Sequence, residues 1–282
     1  SFCMLNSVLK DAIKKRDETL SILKGPTFEK IIRQAKSNWI DFSPTKQDVT
    51  AAGIDSSFNS TKFQGAELWA VTAVSVKSDG EILVDLHEHG LDSNTELSSL
   101  ASKMEVDACI ESVDKTELVL MDGSLHSHFL KREKTGPLVD AITKKKNVIF
   151  ISKTSNTKKQ FEDLGSIAGD IFYYNHATVT PGFSKIHEEQ DLVHSSKAPV
   201  ISSVFARLAE SLPLIKIELL GSGYTDNDFK LILNKILKNS IGGYPYALKL
   251  AHNNCTISGK DLAKLAGIHG LSNEIGSREI LG

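Results

Sequence analysis

Val49-Thr50-Ala51-Ala52-Gly53-Ile54-Asp55 and Glu117-Leu118-Val119-Leu120-Met121-Asp122 decide the fold. Each is a short run of small or apolar residues that closes on an aspartate, and each reads as a strand ending in an acid. Between them the polar stretch Ser56 to Lys62 reads as a loop and Leu68 to Val76 as an apolar, β-branched strand. Ser78-Asp79-Gly80 is a hairpin turn, and Glu81 to Leu86 is its return strand. A Ser93-x-x-Glu96 capping box then opens a helix carrying Leu97, Leu100, Ala101, Met104, Ala108 and Val113. The order is strand with acid, antiparallel pair, helix with acids, strand with acid. It predicts an α/β protein with an RNase H-like core, a mixed β-sheet flanked by helices.

Upstream, Leu5, Val8, Leu9, Ile13, Leu20 and Leu23 recur at helical spacing until Gly25-Pro26 breaks the run. Thr27 caps a second helix holding Phe28, Ile31, Ile32, Ala35 and Trp39. Residues 1–46 are therefore expected to form an N-terminal helical hairpin, packed on a core or on a partner, and residues 47–282 the RNase H-like domain. Downstream, Pro137 to Lys146 reads as a helix and Asn147 to Ser152 as a buried strand. Phe161 to Ala168 reads as a short helix and Ile171 to Tyr174 as a strand. Residues 175–198 show little pattern and are expected to be a loop-rich insertion. Pro199 to Leu208 and Leu214 to Leu220 read as paired strands. Thr225-x-x-Asp228 caps a helix that Gly242-Gly243 ends, and a last helix lies near Lys260 to Ala266.

Neighbouring strand ends bring carboxylates within a few ångströms, where both cannot stay ionised without a cation. Hard Mn²⁺ or Mg²⁺ suits carboxylate oxygen. Two such ions about 4 Å apart activate a water and stabilise the leaving oxygen in phosphodiester cleavage. Asp55 and Asp122 are the strand acids. At about 100° per residue, Glu105 lies at the edge of the helix's apolar stripe between the small residues Ala101 and Cys109, and Glu111 lies at the opposite edge. Geometry favours Glu105 modestly. Taken singly, Asp55-Ser56-Ser57 also reads as an Asx-turn and Asp122-Gly123-Ser124 as an ordinary turn. The order of the three acids is what raises the catalytic reading.

His87-x-His89 and His126-x-His128 lack a third ligand at zinc spacing, so surface histidines are expected. Lys144-Lys145-Lys146 suits a dipole-compensating helix end. Lys153-Thr154-Ser155-Asn156-Thr157, straight after a buried strand, is a better phosphate-binding loop, because hydroxyls and lysine position a backbone. Lys153 and Ser155 are its candidate DNA contacts. His252 follows a Gly-Gly break, a Tyr-Pro-Tyr turn and a short apolar stretch.

The 282 residues carry 33 Lys plus Arg against 35 Asp plus Glu, a formal charge of −2, which excludes a strongly basic coat or histone-like binder. Cys3, Cys109 and Cys255 form no CxxC pair, so a disulfide framework is disfavoured and a reducing cytoplasm is expected. Apolar runs are too short to span a membrane, and with no signal-peptide pattern before the first charged helix none is expected.

The chain resembles the archaeal NurA nuclease family. The likeness rests on Gly53-Ile54-Asp55-Ser56-Ser57, Met104-Glu105, Leu118 to Ser124, Ile151 to Ser155, and the most specific stretch, Gly243-Tyr244-Pro245-Tyr246-Ala247-Leu248-Lys249-Leu250-Ala251-His252. The resemblance implies an RNase H-like homodimer that cleaves DNA with Mn²⁺, Mg²⁺ being the alternative. It implies a 5′ to 3′ exonuclease and single-strand endonuclease working with a HerA-type hexameric ATPase in DNA end resection. It maps the family's acids onto Asp55, Glu105 and Asp122, and its tyrosine and histidine onto Tyr244 and His252. His252 then completes the metal shell or shuttles a proton, and Tyr244 orients the scissile phosphate or contacts a base. Many members carry glycine soon after the first acid, where this chain has Ser56-Ser57.

Two rival readings compete with this one. An actin-like ATPase or sugar kinase also opens on a strand ending in aspartate, but needs a second Asp-x-Gly-x-x-Thr/Ser loop, whose spacing Asp122-Gly123-Ser124 lacks. A catalytically silent, nuclease-like docking subunit would not need the retained acids.

Overall fold

The computed structural model describes residues 2–63, 66–125, 136–190 and 199–271. Its centre is a ten-stranded mixed sheet. The elements in chain order are α1 (Phe2–Lys24), α2 (Pro26–Ser37), β1 (Trp39–Asp41), β2 (Ala51–Phe63), β3 (Ala66–Lys77), β4 (Ile82–Leu91), α3 (Leu97–Ser112) and β5 (Leu118–Asp122). Then come α4 (Gly136–Lys145), β6 (Val148–Ser152), α5 (Asp170–Ala177), β7 (Gly182–Ser184), β8 (His187–Gln190), β9 (Val200–Arg207) and β10 (Ile215–Leu220). The chain continues through α6 (Asp226–Lys238), the two-residue strands β11 (Ser240–Ile241) and β12 (Tyr244–Pro245), α7 (Tyr246–Cys255) and α8 (Gly259–Ile268). Strand order is β1-β7-β9-β10-β6-β5-β2-β3-β4, with β8 also on β9. β2, β5 and β6 run parallel, and the remaining pairs are antiparallel.

The central strands are apolar on both sides because helices cover both faces. Ile54, Val119, Met121 and Phe150 pack with Met104, Ala108 and Cys109 of α3 and Leu138 and Ile142 of α4. Leu118, Leu120, Ile149 and Ile151 face Phe229, Leu233 and Ile236 of α6 and Leu248 of α7. A third cluster joins Ile31 and Ala35 of α2 to Tyr173 and Tyr174 of α5. By contrast Leu5, Val8, Leu9 and Ile13 of α1 are exposed. Among the described residues no helix is long and apolar enough to cross a membrane.

The structure corrects several local expectations. β2 does not end at Asp55. It runs to Phe63, and Ser56 to Lys62 pair with Ala73 to Glu67 of β3. Serine and asparagine are poor strand formers, but pairing with the apolar β3 overrides that preference. Ser93 caps no helix: α3 starts at Leu97 with Glu96 at its N-cap, and no side chain caps it. The short helix expected over Phe161 to Ala168 is one 3₁₀ turn, Glu162–Leu164. Ile171 to Tyr174 is helical, because its aromatics pack on Phe28 and Phe161 rather than in a sheet. Residues 182–190, read as pattern-free, contain β7 and β8. α6 stops at Lys238, and Gly242-Gly243 turn the β11–β12 hairpin with φ of 62° and 85°. The Thr225–Asp228 capping box is present. Lys144 and Lys145 do end a helix, and Lys145 pairs with Asp114. His126 and His128 lie outside the described residues.

Candidate active site

The parallel register of β2 and β5 sets the first two acids side by side. Ile54 pairs with Met121, so Asp55 and Asp122 each stand one residue further along their strands. β5 ends at Asp122 while β2 continues. Asp55 is therefore opened by the loss of its parallel neighbour rather than by the end of its own strand.

Strand alternation then divides the work around Asp55. Gly53 and Asp55 face α7. A Cβ on Gly53 would sit 2.4 Å from the Ala247 carbonyl carbon and 2.5 Å from the Leu248 nitrogen, so only glycine lets α7 lie on the strand. That contact brings His252 to Asp55, with Nδ1 2.9 Å from Oδ2. Ile54 and Ser56 face α3. The Ser56 hydroxyl donates to Glu105 Oε2 at 2.6 Å. Glu105 is buried, at 9% exposure, where Ala101, Ala108 and Cys109 let α3 approach the sheet. Glu111, the other acid considered, lines a separate groove with His87 and Asp107.

Burial pushes the Asp55 carboxyl up from its ordinary value, and the Asp122 charge adds to it. The His252 contact and the Ser56 N–H, 2.9 Å from Oδ1, pull it down. The Tyr244 hydroxyl donates to Asp122 Oδ1. Burial first, then the Asp122 charge, drives that phenol far above its usual range, so it stays protonated and remains a donor. Lys153 Nζ lies 4.2 Å from the centroid of the Tyr244 ring, a cation–π contact. A cavity of about 530 Å³ opens between them, lined by Asp122, Lys153, Tyr244 and His252 among others.

Asp55, Glu105, Asp122, Tyr244, His252 and Lys153 are thus gathered around one corner of the sheet. Ser155 is not among them: its hydroxyl pairs with Thr157 Oγ1 at 2.8 Å, inside its own loop. Two contributors escaped the sequence reading. Ser56 binds Glu105, a role that strand alternation would have signalled had β2 been extended past Asp55. Cys255 sits close enough to Asp55 that burial, then the aspartate charge, pushes its thiol to about 12. It is a neutral neighbour, not a nucleophile.

Three carboxylates and one imidazole would suit Mn²⁺ or Mg²⁺ better than a thiolate-seeking metal. An aspartate raised by burial, with a second aspartate beside it, is the electrostatic condition that a divalent cation relieves. Among the described residues no group of three or more His, Cys, Asp and Glu side chains is already gathered as a ligand cluster. The acids are instead held individually by His252, Ser56 and Tyr244.

The NurA domain profile matches residues 49–257. The chain belongs to the NurA family. The DNA double-strand break repair nuclease NurA of Sulfurisphaera tokodaii is 20% identical over 93% of this chain and 94% of its own. The NurA nuclease structure from Sulfolobus solfataricus superimposes with a TM-score of 0.75 at 19% identity, covering 94% of this chain and 96% of that one. A NurA bound to dAMP and manganese gives 0.61 at 14% identity, covering 88% and 94%. The fold of this NurA-family chain is therefore the RNase H-like one, as its strand and acid order predicts, and the matched span holds Asp55, Glu105, Asp122, Tyr244 and His252.

Proposed function

We propose that this NurA-family protein is a metal-dependent deoxyribonuclease whose site is Asp55, Glu105, Asp122, Tyr244 and His252. The observation that carries the reading is the adjacency of Asp55 and Asp122 across β2 and β5, bracketed by His252 and Tyr244. Asp55, Glu105, Asp122 and His252 would hold Mn²⁺, with Mg²⁺ as the alternative. The bound cation supplies Lewis acidity to water and to the leaving oxygen. The manganese in one related NurA structure supports the choice of metal.

The protein's own groups do the rest. Ser56 holds Glu105 in one orientation by its hydroxyl. Tyr244, kept protonated, fixes Asp122 and lines the cavity. His252, touching Asp55 through Nδ1, moves a proton at that edge of the site. Lys153 draws a backbone phosphate toward the acids. Ser155 belongs to the same proposed DNA-binding loop, from which Lys153 reaches the cavity.

Family membership supports a wider role, 5′ to 3′ exonuclease and single-strand endonuclease activity as a homodimer, working with a HerA-type hexameric ATPase in end resection for recombinational repair. The exposed stripe of α1 (Leu5, Val8, Leu9, Ile13) supports an assembly over a lone chain. End-labelled single- and double-stranded DNA, digested with and without a HerA-type ATPase, tests this. Mononucleotides released from 5′ ends, and faster duplex degradation with the ATPase, are expected. Degradation from 3′ ends only, or indifference to the ATPase, contradicts it.

A further inference from the structure

We propose that Lys249 is a second phosphate-positioning residue, holding the DNA strand beside the acids, with Asn253 one turn later on the same rail; this rests on the nuclease reading above. Neither residue belongs to the acid, tyrosine and histidine set. Both line the cavity of about 530 Å³ that holds Asp122, Lys153, Tyr244 and His252.

Helix geometry explains why. Ala247, Leu248, Ala251 and Cys255 form the buried face of α7. At about 100° per residue, Tyr246, Lys249 and Asn253 form a ridge on the opposite face. His252 falls at the margin between the two, where it can touch Asp55 and still border the cavity. The close seat of α7 on Gly53 fixes this rotation, so Lys249 and His252 are presented together.

Charge points to the ligand. Lys249 is exposed and, among the described residues, makes no ion pair. Lys153 reaches the same cavity from the end of β6, over the Tyr244 ring. Two cations line one concavity beside a metal-binding acid. The size falls within the roughly 300–1,000 Å³ of small-ligand sites, enough for a nucleotide unit. An anionic strand bearing one phosphate per residue fits this better than a neutral ligand.

The test is steady-state cleavage of a 5′-labelled, 20-nucleotide single strand in Mn²⁺ over a salt series. Lys249→Gln is expected to raise KM about three- to tenfold with kcat within about twofold, the signature of lost uniform binding. It should also make log(kcat/KM) against log salt shallower by about 0.7, one phosphate contact on a single strand. Lys249→Arg should stay within about twofold of the parent. Asn253→Ala should raise KM without changing the salt slope. An unchanged KM and slope in Lys249→Gln, or a fall in kcat alone, overturns the proposal while leaving the nuclease reading standing. A parent chain that cleaves nothing in Mn²⁺ sinks the nuclease reading itself, and this proposal with it.

Discussion

The His252 imidazole meets the Asp55 carboxylate at 2.9 Å, Nδ1 to Oδ2, across 197 residues of chain. The contact exists because Gly53, two residues before Asp55, lets the backbone of α7 rest on β2. Gly53→Ala is therefore expected to act on both stability and chemistry. A methyl at that point must displace backbone, costing about 1–3 kcal/mol. It should lower DNA cleavage about 100-fold, since a shift of about 1 Å at the reacting groups costs that much. Thermal unfolding and activity measured on the folded fraction separate the two losses. A variant of unchanged activity would mean that α7 does not position His252.

Ser56 tests the other face of the same strand. Its hydroxyl donates to Glu105 Oε2 at 2.6 Å. Ser56→Ala should cost about 1.5–3 kcal/mol, the range for a hydrogen bond to a charged group, and slow cleavage about tenfold by loosening Glu105. Ser56→Thr keeps a hydroxyl and should recover most of the rate. Equal rates for all three chains would remove Ser56 from the account.

How much of this was legible in the sequence divides along physical lines. The order of acids and strands read correctly because Leu118 to Met121 and Ile54 are buried on a continuous sheet, a pattern periodicity reports directly. The extension of β2 did not, because Ser56, Asn59 and Ser60 gain their strand conformation from β3 rather than from their own preference. Ile171 to Tyr174 misled for the same kind of reason. A run of aromatics resembles a strand until Phe28 and Phe161 supply its helical packing. The loop composition around Ser155 suits a phosphate contact, but folding gives its hydroxyl to Thr157.

Asp170 gives a pH test away from the site. Burial pushes its carboxyl up to about 6, although the Lys159 and Gln160 N–H groups donate to Oδ2. The unfolded carboxyl titrates near 3.9. The folded state thus binds a proton that the unfolded state releases, and this contribution to stability is full below about pH 4 and lost as pH rises through about 6. Asp170→Asn removes that dependence. Urea midpoints from pH 4 to 8 should fall more steeply for the parent than for Asp170→Asn. Parallel curves would contradict the shift.

The most direct measurement is cleavage of a labelled single-stranded oligonucleotide by the parent chain and by Asp122→Asn, each in Mn²⁺ and in EDTA, with thermal unfolding recorded alongside. Cleavage by the parent in Mn²⁺ only, and a loss of at least about 100-fold in Asp122→Asn with the folding transition retained, is the predicted result. Cleavage that survives EDTA, or a folded Asp122→Asn protein as active as the parent, would contradict the assignment of these acids.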